Sequence, residues 1–221
     1  MSTSSHPVRR SAHVRRARDV RAAARRRVVR RRVAAVIGVA IGLAVTASLA
    51  VPPVFRDTLK EIALPLRHED IIRQQARDKG LDPALIAAVI YAESRFRDGQ
   101  TSTAGAQGLM QITPATARFI ARESGGVAFT VQDLATPQVN ISYGAFYLRY
   151  LLRRYGDNEI FALAAYNGGE GNVDRWIVEA RNRDEDLSVD AIPFPETRAY
   201  VSQVRSTRDD YRRAHADALG L

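Results

Sequence analysis

Glu93 ends the apolar run that begins at Leu81-Asp-Pro-Ala-Leu-Ile-Ala-Ala-Val-Ile-Tyr-Ala, and a carboxyl group in that place is a candidate proton donor. Asp82 followed by Pro83 is a helix start, with an N-cap side chain and a proline at the first helical position. Ile86, Val89 and Ile90 recur at the three/four spacing of one helix face, and Glu93 falls on the same stripe. The carboxylate therefore sits among apolar neighbours at the C-terminal end of its helix, where the helix carries partial negative charge. Burial and the helix end both disfavour the anion and push the pKa upward. An acid still protonated near neutral pH is what general acid catalysis needs. The alternative is a solvent-exposed Glu in a frayed last turn, paired with Arg95 or Arg97.

The residues that follow weigh against that alternative. Ser102-Thr-Ala-Gly-Ala-Gln-Gly-Leu-Met-Gln-Ile-Thr-Pro114 is glycine-rich, then apolar, then a helix start. Gly105 and Gly108 allow positive φ or close backbone approach. Such a loop can lay N–H groups and the Gln111 amide beside a sugar. Further on stand Ala165-Tyr-Asn-Gly-Gly169 and Ile192-Pro-Phe-Pro-Glu-Thr-Arg-Ala-Tyr-Val201.

Taken in order, Glu93-Ser94, Gly108-Leu-Met-Gln111, Ala165-Tyr-Asn167 and the Ile192–Val201 segment resemble the lytic transglycosylases with a lysozyme-like catalytic domain, the SLT domain. The resemblance covers about half the chain. It implies a mainly α, lysozyme-like multi-helix fold and cleavage of the β-1,4 bond between N-acetylmuramic acid and N-acetylglucosamine in peptidoglycan, without water, giving a 1,6-anhydro sugar. Glu93 is then the catalytic acid and base. Ser94, Ser102, Met110, Gln111, Tyr166, Asn167, Glu196 and Tyr200 take substrate-binding or supporting roles. Read from pattern alone, Met110 and Tyr200 fit a core equally well, Asn167 fits a helix C-cap, and Glu196 fits the N-terminal charge of its helix. The chain departs from the family where Gly168 replaces the usual Ala, Glu170 a frequent Pro, and Thr113 a frequent Met.

The chemistry implied by the residues themselves agrees with a single acid. A usual glycosidase flanks the bond with two carboxylates. Asp98 lies in the loop after Glu93, but nothing in the sequence fixes it opposite. One acid alone points to a substrate-assisted reaction, in which a 2-acetamido group supports the positive charge. There is no cysteine, so disulfides, thiol catalysis and Cys-ligated metals are absent from this chain. No His-Glu-x-x-His pattern occurs, and no cofactor or metal is expected. A hydrolytic muramidase on the same fold and a non-catalytic peptidoglycan-binding module remain as alternatives.

The elements that must position these residues read as short helices. One covers Glu69 to Lys79 and ends at Gly80, and the Glu93 helix follows. Thr113-Pro114 opens a third, running to about Glu123. Thr136-Pro137 opens a fourth, with Ile141, Ala145, Leu148 and Leu152 on one face and Gly156 at its end. Asn158 caps a fifth, a sixth covers about Asn172 to Arg181, and a last runs from about Glu196 to Ala218. Tyr143, Phe146, Tyr147 and Tyr150 crowd the fourth helix and read mostly as core. No stretch alternates with period two.

Upstream of the catalytic region, the charge is uneven. The chain of 221 residues carries a formal +9, but residues 1–32 hold twelve Arg and one Asp, +11, which leaves −2 for the rest. This basic tail is expected to be disordered and to act as a topogenic cluster, so nucleic acid is not an expected partner. Residues 33–51 are nineteen without a charge, roughly 28 Å as a helix. With Arg30, Arg31 and Arg32 before it, this segment reads as a signal anchor or transmembrane helix. It would leave the N-terminus cytoplasmic and the catalytic domain outside. Cleavage after Ser48-Leu49-Ala50, with secretion, is the competing reading. Residues 52–66, with Pro52, Pro53 and Pro65, form a linker, and the catalytic domain covers 67–221. The expected partners are thus peptidoglycan glycan strands and, through residues 33–51, the membrane.

Overall fold

A helix that is apolar around its whole circumference must be enclosed by others, and the run from Ala84 to Ile90 is such a helix. A computed structural model of the protein describes residues 64–125, 130–185 and 188–221, all within a compact unit spanning Thr58–Leu221. The readings made for residues 1–63, the basic tail, the apolar segment and most of the linker, lie outside the described residues. Within the described residues, no helix is long and apolar enough to cross a membrane.

The described elements are α1 (Glu69–Lys79), α2 (Pro83–Ser94), α3 (Pro114–Glu123), a 3-10 turn (Val131–Ala135), α4 (Pro137–Arg154), α5 (Glu159–Gly168), α6 (Glu170–Arg181), α7 (Pro195–Ala214) and α8 (Ala216–Leu219). Among them there is no strand; Gln107 alone makes two isolated antiparallel bridges, to Thr101 and to Ile112. The fold is therefore mainly α, as expected. The Asp82 carboxylate caps α2 by accepting from the Ala84 N–H at 2.9 Å. Thr113 caps α3 and Asn158 caps α5 in the same way. Thr136 makes no side-chain cap bond, so Pro137 alone marks the start of α4.

The structure departs from the sequence expectations in four places. The single apolar stripe assigned to α2 is in fact a buried cylinder: every residue from Ala84 to Ile90 is at most 3% exposed. Alanines fill the faces between the branched residues, so α1 and α7 pack closely against it; α2 and α7 share the most extensive helix contact. The last helix also breaks earlier than expected. It ends at Ala214, His215 adopts a non-helical conformation, and a short α8 follows. The 3-10 turn has no hydrophobic period that would mark it, and α6 begins at Glu170, two residues before the expected start near Asn172.

After Ser94 the chain reverses sharply. Arg95 and Phe96 both take the left-handed conformation, φ 55 and 58, at a cost of about 1–2 kcal/mol per residue. Phe96 is 1% exposed and packs against Tyr211 of α7 at 6.1 Å between ring centroids. That buried ring holds the turn in place, and the turn leaves Glu93 in the last full turn of α2.

If α2 is the enclosed centre of the domain, Ile86→Ala should destabilise it by about 2–5 kcal/mol, the range for a large-to-small change in a tightly packed core. Urea unfolding of both proteins measures this; a loss below about 1 kcal/mol would contradict the packing described.

Candidate active site

The Glu93 carboxyl is pushed up to about 7 from an ordinary 4.5, chiefly by burial, with the Tyr200 hydroxyl pulling the other way. The residue is not sealed off: part of its surface reaches solvent. Two phenols face it. Tyr166 comes from α5 and Tyr200 from α7, and the Glu93 charge raises the pKa of both, after burial itself. The Tyr200 hydroxyl is buried and makes no hydrogen bond of normal geometry. Its contact with Glu93 is therefore loose, and small side-chain movement would tighten it. A buried hydroxyl without a partner carries a desolvation cost. It would be relieved once Glu93 is an anion and can accept.

Tyr166 is better fixed. Its hydroxyl donates to the Met110 carbonyl at 2.9 Å, and its ring packs on Tyr147 at 5.5 Å. Two surface depressions are lined by residues next in sequence to this contact. One, about 450 Å3, is lined by Gln100, Thr101, Ser102 and Gln111. The other, about 400 Å3, is lined by Asn167, Gly168, Phe194, Pro195, Glu196 and Thr197. Gln111 follows Met110 and Asn167 follows Tyr166, so each depression begins one residue from the Tyr166–Met110 bond.

The residues singled out from sequence divide into three groups. Glu93, Tyr166 and Tyr200 come together. Ser102 and Gln111 share one depression, Asn167 and Glu196 the other. Ser94 and Met110 face inward. The Ser94 hydroxyl is buried and donates back to the Ile90 carbonyl of its own helix at 3.0 Å. The Met110 side chain is 0% exposed and lies against Gly144, where a Cβ would come within 2.3 Å of its sulfur. What Met110 offers the site is its backbone carbonyl. Ser102 has a structural bond as well: its hydroxyl accepts from the Ala106 N–H at 3.0 Å.

Other contributors were not legible from sequence. Thr197 is 2% exposed and donates to the Asn167 side-chain oxygen at 2.8 Å, fixing that amide in its depression. Gly168 makes room for it: a Cβ there would meet Thr197 Oγ1 at 3.0 Å. Glu170 receives the hydroxyls of Tyr147 at 3.2 Å and Tyr150 at 3.1 Å and pairs with Arg154 at 3.0 Å. Tyr147 and Tyr150 are thus half-buried, packed against the core and tied to this carboxylate by their hydroxyls. A search for spaced motifs could have flagged Thr197 inside the Ile192–Val201 segment, but nothing near Glu170 announces its partners.

Residues 70–189 match the family model of the transglycosylase SLT domain. The chain belongs to that family. The soluble lytic murein transglycosylase of Salmonella typhimurium is 36% identical over 163 residues, covering 71% of this chain and 24% of that protein. The membrane-bound lytic murein transglycosylase F of Marinobacter nauticus is 30% identical, over 67% of this chain and 30% of that protein. Among solved structures, the 70 kDa soluble lytic transglycosylase of Escherichia coli superposes with TM-score 0.65 at 34% identity, covering 69% of this chain and 25% of that one. An inactive mutant of the Pseudomonas aeruginosa lytic transglycosylase Slt gives TM-score 0.64 at 33% identity, over 72% and 26%. The chain therefore spans about a quarter of the length of the first of these relatives, and what they share with it is the SLT domain.

Burial of an ionisable group has a consequence for stability. Glu93 holds its proton more tightly when folded than when unfolded, so ionising it opposes folding. Between about 4.5 and about 7, rising pH should cost the folded state up to about 3 kcal/mol. Glu93→Gln removes that cost. Its melting temperature should match wild type near pH 4.5 and exceed it above pH 7.5; a difference that does not change with pH would contradict the burial of this carboxyl.

Proposed function

We propose that this SLT domain is a peptidoglycan lytic transglycosylase that cleaves the bond between N-acetylmuramic acid and N-acetylglucosamine and closes a 1,6-anhydro ring. The observation that carries the proposal is the Glu93 carboxyl, whose pKa burial pushes up to about 7 and beside which two phenols stand. Protonated, Glu93 gives its proton to the glycosidic oxygen. The substrate's own acetamido oxygen supports the charge at the anomeric carbon. Glu93, now an anion, takes the proton of the muramyl C6 hydroxyl, whose oxygen closes the ring, and the acid is regenerated.

The surroundings suit each step. Desolvation keeps the proton on Glu93 until the leaving oxygen needs it. The Tyr200 hydroxyl, which already meets Glu93, can then donate to the carboxylate formed. Gln111 and Ser102 line one depression, and Asn167 and Glu196 line another, and polar groups of these kinds suit the hydroxyl and acetamido groups of a glycan strand. Fixing the strand against the acid supplies the proximity term.

The proposal extends to where the domain works. The uncharged segment 33–51 behind an arginine cluster suits a signal anchor with the catalytic domain outside the cytoplasm. The full chain should then stay in the membrane pellet after alkaline extraction; release into the supernatant would contradict anchoring.

Digestion of purified peptidoglycan followed by mass spectrometry tests the chemistry. Wild type should yield muropeptides lighter by one water than reducing-end products, and Glu93→Gln should lose about 10²–10⁴ in rate. Because Glu93 must begin protonated, kcat/KM should fall as pH rises through about 7. Reducing-end products would instead make the enzyme a hydrolase, and full activity in Glu93→Gln would remove Glu93 from the mechanism.

A further inference from the structure

Asn140, on α4, is 1% exposed, and its side chain makes three hydrogen bonds to backbone outside its own helix. Its Oδ1 accepts from the Met110 N–H at 2.7 Å. Its Nδ2 donates to the carbonyls of Gln107 at 2.8 Å and Leu134 at 2.9 Å. Two of these three bonds enter the hairpin Gln107–Ile112, which is closed by reciprocal backbone bonds of 3.0 Å between its end residues.

The fit is close. Gly108 has φ +77, and a Cβ on it would lie 2.2 Å from Asn140 Nδ2 and 2.7 Å from the Leu134 carbonyl. Four residues along α4, Gly144 leaves the hollow that takes the Met110 side chain. One helix thus grips the hairpin twice, by an amide and by a missing side chain. On the hairpin's other side, the Met110 carbonyl receives the Tyr166 hydroxyl. The residue at position 140 must supply one acceptor and two donors without charge, which is the inventory of Asn. Ionised Asp would turn both donors into an anion facing two carbonyl oxygens.

We propose that Asn140 is a positioning residue for the reaction at Glu93: it seats the Gln107–Ile112 hairpin, the hairpin's Met110 carbonyl holds the Tyr166 hydroxyl, and Tyr166 is thereby set against the acid. The proposal rests on reading Glu93 as the proton donor. It separates Asn140 from an ordinary buried amide, whose loss would lower stability alone.

The test is a double-mutant cycle on kcat in the full chain, corrected for folded fraction, with Asn140→Asp, Tyr166→Phe and the pair. Misplacement by about 1 Å can cost about 100-fold, so each single change should lower kcat by about 10- to 100-fold. Because both act through one contact, the pair should lose no more than about threefold beyond the worse single. Where Asn140→Asp does not fold, Gly144→Ala, which pushes Met110 from the other grip, takes its place in the cycle. Ile141→Val, a core change one residue away, should lower the melting temperature and leave kcat unchanged. Losses that multiply, an unchanged kcat in the gripping variants, or an equal kcat loss in Ile141→Val would each overturn the proposal. These outcomes are read in an enzyme whose wild type makes the anhydro product. Absence of that product from wild type would instead count against the activity proposed above.

Discussion

Removing one carboxyl group from water is the constraint on which the rest of the domain depends. Glu93 would ionise readily in solvent and could then donate nothing at neutral pH. Its shift to about 7 comes chiefly from desolvation, and desolvation requires neighbours that stay in place. α2 supplies them on its own axis, since its residues from Ala84 to Ile90 are buried on every side. Tyr166 and Tyr200 supply the rest. Both bring apolar rings that exclude water; the Tyr166 hydroxyl is held by the Met110 carbonyl, and the Tyr200 hydroxyl is left to serve the anion that forms during the reaction.

That arrangement costs stability in identifiable places. Arg95 and Phe96 hold left-handed backbone directly after the acid's helix. The Tyr200 hydroxyl is buried with only a weak contact to Glu93. Gln111 sits at φ 48 on the hairpin tip. Such features persist only where surrounding structure overdetermines them. Here it does: Phe96 is locked against Tyr211, and the hairpin is gripped by Asn140 and by the hollow at Gly144. The unfavourable terms cluster at the site, while the favourable packing lies in α2, α4 and α7.

Much of this was legible in the sequence because local rules and tertiary demands agree there. Asp82-Pro83 and Thr113-Pro114 announce helices whose caps form as expected. The place of Glu93 follows from counting along α2. What was hidden falls into two kinds. Side-chain direction was one: Ser94 and Met110 stand in the motif, yet the first turns back to its own helix and the second fills the core. Motif membership specifies a backbone path and leaves open which atom of the residue serves it. Contacts across long separations were the other. Asn140 lies 30 residues from Met110, and Glu170 lies 23 from Tyr147. No period or spacing links such residues; only the folded placement of α4 beside the hairpin and the first turn of α6 brings them together.

The central claim, that burial keeps Glu93 protonated near neutral pH, is tested most directly by following its side-chain carboxyl carbon by NMR in the free protein as pH is raised. Assignment would come from the signal that Glu93→Gln removes. The account predicts a midpoint near 7. A midpoint near the ordinary 4.5 would show a solvated carboxylate and contradict it.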